Sequence, residues 1–283
     1  MILSIQSHVV YGYVGNKAAC FPLQSLGYDV WPVNTVQFSN HTGYGKWQGE
    51  IFSPEHIKRV IQGIRELGVI DQCKAVLSGY IGESAIGEVI LSTVEEIMIN
   101  NQDLLYLCDP VMGDIGRDVF VKDGVVQFFK DRALYKATII SPNHFEAELL
   151  YGAKISTIEE AKNAANYFHN QGIRIVIFTS FTSIDLSSDK MHIFLSDSSK
   201  CFLGQTPLVS FSIAPNGTGD LFSALFLGFY LEEPDSYRAL YKTLQNIYLV
   251  INNTWLLKKR ELDLINHHYT SAIDNKDVFI EVV

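Results

Sequence analysis

The sequence predicts an α/β fold: a three-layer α/β/α sandwich around a mostly parallel central sheet. Three observations carry this reading. Short apolar runs alternate with amphipathic stretches, the apolar runs end in polar residues, and no repeat or Pro-rich linker interrupts the alternation. Parallel strands need crossover helices, so the polar strand ends gather on one rim of the sheet, where ligands of such sheets bind. The chain has 283 residues, 47% of them hydrophobic, and residues 1–283 are read as a single domain.

The first strand, Met1 to Ser7, brings Ser7 to that rim, and a helix from Lys17 stops at Gly27. Gly12 and Gly15 between them fall short of a G-x-G-x-x-G dinucleotide fingerprint, which weakens a nicotinamide-dependent reading. Tyr28 to Phe38 is the second strand. The polar, Gly-rich and aromatic stretch Ser39 to Glu50 then reads as a short flap over a small ligand, or else as an ordinary surface hairpin. As a flap, it offers His41 or Thr42 for hydrogen bonds and Tyr44 or Trp47 to exclude water. Ser53-Pro54 opens a helix that runs to Gly68, with Ser as N-cap and Pro in the first helical position.

Ala75 to Tyr80 is a strand whose Tyr80 can wall a pocket, and Ser84 to Asn101 is a helix. The strand Asp103 to Cys108 ends in Asp109-Pro110-Val111-Met112-Gly113-Asp114. There Asp109 suits a hydrated magnesium ion or a phosphate, or simply shapes the turn. Ile115 to Asp123 fits no regular element and is read as a lid. Lys136 to Ile140 is a strand, followed by a helix with Asn143 near its cap. Glu146 lies three residues on, the spacing of a capping box; Asp109, Asn143 and Glu146 together also suit the water shell of magnesium.

Thr157 to Gln171 is a helix closed by Gly172, and Arg174 to Phe178 is a strand leading into the hydroxyl-rich loop Thr179 to Ser183. Lys190 to Leu195 and Lys200 to Thr206 form an antiparallel pair that finishes the sheet. Helices follow over 217–231 and 234–258, then a short helix near 260–267 and a last strand, Val278 to Val283.

Pro215-Asn216-Gly217-Thr218-Gly219-Asp220, at the start of the 217–231 helix, is the local feature that carries most chemistry. Two glycines around a threonine permit close backbone approach, and a helix N-terminus offers free N–H groups to an anion. Asp220 in the first turn is suited to take a proton from an attacking hydroxyl, or only to cap the helix. With 22 basic and 31 acidic residues the formal charge is −9, and no basic run tracks a nucleic-acid backbone. No run of 18 apolar residues and no signal-like start appears, so a cytoplasmic protein with no membrane partner is expected. Cys20, Cys73, Cys108 and Cys201 lack metal or disulfide spacing and read as reduced and structural.

Taken together, Gln6 to Gly12, Asn34 to Thr42, Leu77 to Tyr80, Asp109 to Asp114, Pro142-Asn143 with Glu146, and Gly217 to Asp220 resemble the pyridoxal kinases of the ribokinase-like superfamily. The resemblance runs in order from residue 1 to about residue 230; the Gly-Thr-Gly-Asp turn is shared across the superfamily, and the first two stretches are more specific to these kinases. It implies ATP-dependent phosphorylation of the 5′-hydroxyl of pyridoxal to pyridoxal 5′-phosphate. By that resemblance Ser7, Thr42 and Gly43 contact the vitamin, with His41 and Tyr80 adding to its pocket. Asp109, Ser141, Asn143, Glu146 and Thr179 lie on the ATP side, and Thr206, Pro207, Leu208 and Val209 approach the nucleotide. Gly217, Thr218 and Gly219 form the anion hole and Asp220 is the base. Mg2+ is held by Asp109 and Glu146 through water, a monovalent cation such as K+ accompanies it, and the enzyme is a homodimer.

Thr179 stands where some bacterial members have Lys, so a direct cation for the ATP phosphates is missing at that position. Ser212 to Asn216 and the tail after about 230 also fit the family less well. The alternatives are a kinase for hydroxymethylpyrimidine, alone or with dual specificity, and a non-catalytic carrier of pyridoxal or its phosphate.

Overall fold

The computed structural model describes residues 1–272 and 275–283. The strands are β1 (Ile2–Tyr11), β2 (Val30–Asn40), β3 (Gly49–Ile51), β4 (Ala75–Ser78), β5 (Leu105–Cys108), β6 (Gly113–Asp114), β7 (Asp118–Val119), β8 (Ile139–Ile140), β9 (Ile175–Phe181), β10 (Lys190–Ser196), β11 (Cys201–Pro207) and β12 (Phe279–Val282). The α-helices are α1 (Asn16–Ser25), α2 (Pro54–Glu66), α3 (Ser84–Asn100), α4 (Val125–Phe128), α5 (His144–Tyr151), α6 (Ile158–His169), α7 (Thr218–Glu232) and α8 (Ser236–Leu256). Ten strands form one sheet in the order β12-β11-β10-β9-β8-β5-β4-β1-β2-β3. Its middle, from β9 to β2, is parallel throughout, and antiparallel strands close both edges.

Period-two alternation divides the strand side chains between two cores. Leu3, Ile5, Val76, Tyr106, Ile140, Val176 and Phe178 face one side, with residues of α2, α3, α5 and α6. Ile2, Ala75, Leu77, Leu107, Ile139, Ile175 and Ile177 face the other, with α1, α7 and α8. Strands apolar on both faces and covered by helices on each are what a parallel sheet requires. Leu221 to Tyr230 of α7 are buried without interruption, whereas α2 buries Ile57 and Ile61 and leaves Val60 exposed. An uninterrupted apolar helix belongs inside, and an amphipathic one at the surface.

The strand order reverses at β1, which lies between β2 and β4. Pairing of β1 with β4 ends at Ile5, while pairing with β2 continues to Tyr11. The β1–β2 ribbon therefore rises past the sheet and carries the flap, a single 3-10 turn at Thr42–Tyr44 followed by β3. The ladder slips between Gln6 and His8, so that Thr35 and Val36 stand opposite Ser7 alone. Such a bulge re-aims the side chains beside it.

The sandwich, the flap, the antiparallel pair β10–β11 and the N-caps Ser53 and Asn143 agree with the sequence reading, although β12 and not β11 finishes that side of the sheet. Four expectations change. β9 runs on to Phe181, where it pairs with His192 of β10, so Thr179 to Phe181 belong to the strand and not to the expected loop. The first strand runs four residues beyond Ser7, because β2 supplies partners that β4 does not. The stretch 115–123 contains a small hairpin, with Gly113 paired to Val119 and Asp114 to Asp118, turned by positive φ at Gly116 and Asp118. Residues 260–267 form no helix. Leu262, Asp263 and Leu264 are all buried in non-helical chain, and the Asp263 amide donates to Thr254 Oγ1 at 2.9 Å. The cysteines are free thiols, as expected.

Phe226→Ala on α7 is expected to destabilise the fold by about 3–5 kcal/mol, and Val60→Ala on α2 by under about 1 kcal/mol. Urea unfolding of the two variants checks the difference; equal costs would mean that α7 is not a core helix.

Candidate active site

Helix α7 begins at Gly217, whose φ of 91° suits glycine and which no side chain caps. A Cβ at Gly217 would lie 1.8 Å from the Tyr13 carbonyl oxygen, so the turn sits directly on the loop that follows β1. The first amides of the helix have no intrahelical acceptor and stand at the positive end of its dipole. Gly217, not Asp220, holds the N-cap, and Asp220 stands at the third helical position. Burial raises the Asp220 pKa above the ordinary aspartate value, against the lowering influence of the nearby Gly15 amide and its own amide. Gly15 touches Ser7 in turn: a Cβ there would fall 2.1 Å from the Ser7 carbonyl oxygen. Ser7, Gly15, Gly217 and Asp220 thus form one packed unit.

Next to it stand the ends of β5 and β8. Asp109 is buried and accepts a hydrogen bond from Ser223 Oγ of α7 at 3.1 Å, and Ser223 meets Ser141 Oγ at 2.9 Å. Burial, then the charges of Glu146 and Asp220, hold the Asp109 carboxyl well above the usual carboxylate range, against the Ser223 hydrogen bond. Glu146 is pushed up to about 7 by burial, although its carboxylate accepts the amides of Met112, Asn143 and Gly113. The capping box read from the spacing is present, since the Glu146 amide donates to Asn143 Oδ1 at 2.9 Å. Asn143 Nδ2 donates to the Gly113 carbonyl at 2.8 Å, so the pair also fixes the root of the β6–β7 hairpin. Thr179 is buried alongside, its amide bonded to the Pro142 carbonyl.

At the flap, Val9, Val36 and Phe38 make a small apolar cluster with Val14 and Tyr80. Sequence reasoning missed what holds the flap down. Glu261 accepts hydrogen bonds from His41 Nε2 at 3.0 Å, Tyr44 Oη at 2.6 Å and the Tyr13 amide at 3.2 Å. Burial raises the Glu261 pKa, but its hydrogen bonds from His41 and Tyr44 outweigh this and leave the carboxyl below its ordinary value. A charged Glu261 makes His41 Nε2 the donor, and His41 Nδ1, buried without a partner, is left as an acceptor. The Arg260 guanidinium stacks 3.6 Å from the Tyr44 ring centroid. The expected helix over 260–267 gave no hint of this latch.

All of these groups open on one cleft of about 790 Å³. Every residue predicted for the site lines it: Ser7, His41, Thr42, Gly43 and Tyr80 from the flap end, and Asp109, Ser141, Asn143, Glu146 and Thr179 from the strand ends. Gly217 to Asp220 line it too, as do Thr206 to Val209 following β11. Tyr44 and Trp47 do not: Tyr44 is turned to Glu261, and Trp47 packs on Phe38. Among the lining residues that were not foreseen are an apolar wall of Leu244, Ile247 and Ile251 from α8, and Arg117 from the β6–β7 hairpin. The amphipathic pattern of α8 could have suggested the first.

The crowded carboxylates carry a stability cost with a definite sign. A raised folded-state pKa favours the protonated form, so the stability linked to Asp109 is complete below its unfolded pKa of about 4 and is lost as pH rises through the folded value. Asp109→Asn, which can still accept from Ser223, is expected to raise the Tm of the chelator-treated protein at pH 8 by roughly 2–4 °C for each kcal/mol relieved. The gain shrinks to nothing near pH 4 in a melting series; a pH-independent gain would contradict this electrostatic origin.

The family model described as phosphomethylpyrimidine kinase matches residues 40–263. A pyridoxal kinase of Granulibacter bethesdensis is 45% identical over 257 residues, which cover 89% of each chain. One of Rubrobacter xylanophilus is 43% identical over 265 residues, covering 93% of this chain and 91% of the relative. The pyridoxal kinase of Leishmania donovani in complex with ADP and pyridoxine superposes with a TM-score of 0.91 at 33% identity, covering 100% of this chain and 98% of that one. Similarity of this extent in both sequence and fold means that the chain belongs to the pyridoxal kinase family, with the ribokinase-like architecture of its members.

Proposed function

We infer that this protein transfers the γ-phosphoryl group of ATP to the 5′-hydroxyl of pyridoxal, giving pyridoxal 5′-phosphate. The observation that carries the reading is the position of Asp220. It stands in the first turn of an uncapped helix, in a cleft shared by the flap end and by the strand-end residues on the other side. The kinship with pyridoxal kinases names the acceptor.

In this reading Ser7, Thr42 and Gly43 hold the vitamin, Tyr80 and the Val9–Val36–Phe38 cluster wall its ring, and His41 Nδ1 accepts a hydrogen bond from it. Asp220 takes the hydroxyl proton as the oxygen attacks, and the amides of Gly217, Thr218 and Gly219 stabilise charge on the transferring phosphoryl oxygens. Ser141, Asn143, Thr179 and Thr206 to Val209 border the nucleotide, whose base meets the apolar wall of α8.

Among the described residues no three His, Cys, Asp or Glu side chains are arranged as direct metal ligands. Asp109 and Glu146 are close enough to raise the pKa of Asp109, which fits a hydrated cation held through water and shared with phosphate. Mg2+ bound there would neutralise charge on the ATP phosphates. No side-chain set singles out a seat for K+ among the described residues, and no step here calls on one. No described helix is long and apolar enough to cross a membrane. A cytoplasmic homodimer completes the proposal, and light scattering checks its dimeric state.

The family model's description favours one second reading, hydroxymethylpyrimidine as an acceptor. A coupled ATP assay with pyridoxal, pyridoxine, pyridoxamine and hydroxymethylpyrimidine decides between them, with pyridoxal expected to give the highest kcat/KM. Binding of pyridoxal without ATP consumption would point to the carrier.

Asp220→Asn is expected to lower kcat by roughly 10²-fold or more while leaving the KM values within a few-fold. Because the base works only when ionised and its pKa is raised, wild-type kcat/KM should fall with decreasing pH from a point above the ordinary aspartate range. The residual rate of the variant should lack that acidic limb. Near-wild-type turnover in Asp220→Asn would remove the residue from its role.

A further inference from the structure

Arg117 is the only Lys or Arg among the described residues lining the cleft. The other charged groups there, Asp109, Asp114, Glu146 and Asp220, are carboxylates, in a chain of formal charge −9. A triphosphate entering such a cleft needs compensating positive charge, and at residue 179 the chain offers a threonine hydroxyl.

The surroundings of Arg117 suit that task. Its hairpin is held at the root, where Gly113 and Met112 donate to Glu146 and Asn143 donates to the Gly113 carbonyl. A Cβ on Gly113 would meet Phe145 at 2.5 Å, so the root packs tightly as well. The tip, from Ile115 to Val119, is exposed. From it Arg117 Nη1 donates to Asn216 Oδ1 at 3.0 Å, and Asn216 is the residue directly before the anion turn. That partner is a neutral amide, and among the described residues no carboxylate pairs with the guanidinium, whose charge is left available beside the first amides of α7.

We propose that Arg117 is the phosphate clamp of this protein: docked on Asn216, its guanidinium binds the γ-phosphoryl group of ATP across the mouth of the anion turn and stabilises the charge that moves during transfer. A planar fork of N–H donors matches two phosphoryl oxygens in a fixed geometry, whereas a lysine ammonium acts as a point charge without that fork. An arginine placed this way supplies positive charge from the hairpin side that the strand end at Thr179 lacks. The clamp rests on the kinase reading for the identity of its ligand.

The test uses the full chain and two measurements. Calorimetry with Mg2+ compares ADP with a non-hydrolysable ATP analogue on wild type and Arg117→Met. The clamp requires at least about tenfold weaker binding of the analogue by the variant, with ADP affinity within twofold. Steady-state kinetics should show kcat lower by about 10²-fold or more, against the 10³–10⁵-fold attributed to arginine fingers elsewhere. The KM for the vitamin should stay unchanged, added guanidinium ion should restore part of the lost rate, and Arg117→Lys should recover less than full activity.

Asn216→Ala keeps the guanidinium and removes only its tether, so it should retain most of the rate; a loss equal to that of Arg117→Met would make the pair a structural strut. Equal weakening of ADP and analogue, or a variant within threefold of wild type in kcat, would overturn the clamp. Failure of the kinase reading looks different: wild type would not phosphorylate pyridoxal at all, while the calorimetric comparison would still report on Arg117.

Discussion

The site depends on a single backbone contact. Gly217 lies so close to the Tyr13 carbonyl that no side chain fits between them, and its positive φ turns the chain into α7 at that point. The contact sets the N-terminus of a fully buried helix against the loop that leaves β1. Gly15 of that loop packs on Ser7. The distance from flap end to the Asp220 carboxylate is therefore fixed by packing between main chains, which deforms less readily than contacts between side chains. Phosphoryl transfer needs this kind of rigidity, since positioning supplies most of its rate.

Around that contact the protein collects negative charge where negative charge is least welcome. Asp109, Glu146 and Asp220 are raised in pKa, with burial as the first cause in each case. The fold offsets part of this with backbone amides on Glu146 and Asp220 and with Ser223 on Asp109. It leaves the rest uncompensated. A resting site of this kind attracts cations, and a phosphate can follow only with them or toward the helix end and Arg117. Stability is given up at the site that does the chemistry, a common feature of active sites.

Much of this was legible in the sequence because it is local or periodic. Alternating apolar runs disclosed the two-faced sheet, glycine and proline marked the helix ends, and Asn143 with Glu146 displayed its capping spacing. Gly217-Thr218-Gly219-Asp220 could be recognised as an anion turn because close approach and a free helix end are properties of those four residues. The sequence left two readings of Asp220 open. The fold places Gly217, not Asp220, at the N-cap, which the four residues alone did not reveal.

The rest was hidden for one physical reason: it is made by pairs remote along the chain. Arg117 meets Asn216 across 99 residues and His41 meets Glu261 across 220. Residues 260–264 show charges at helical spacing, yet the burial of Leu262 and Leu264 and the reach of Glu261 to the flap override that local preference. The flap and the hairpin are the two elements that rise beyond the sheet, and each is tied down by one remote polar residue. Asn216 lies between them, bonded to Arg117 and with its amide nitrogen 3.0 Å from where a Cβ on Gly43 would stand. A side chain at Gly43 would thus press on the residue that docks Arg117. Gly43 of the flap and Arg117 of the hairpin therefore share Asn216 as a common neighbour.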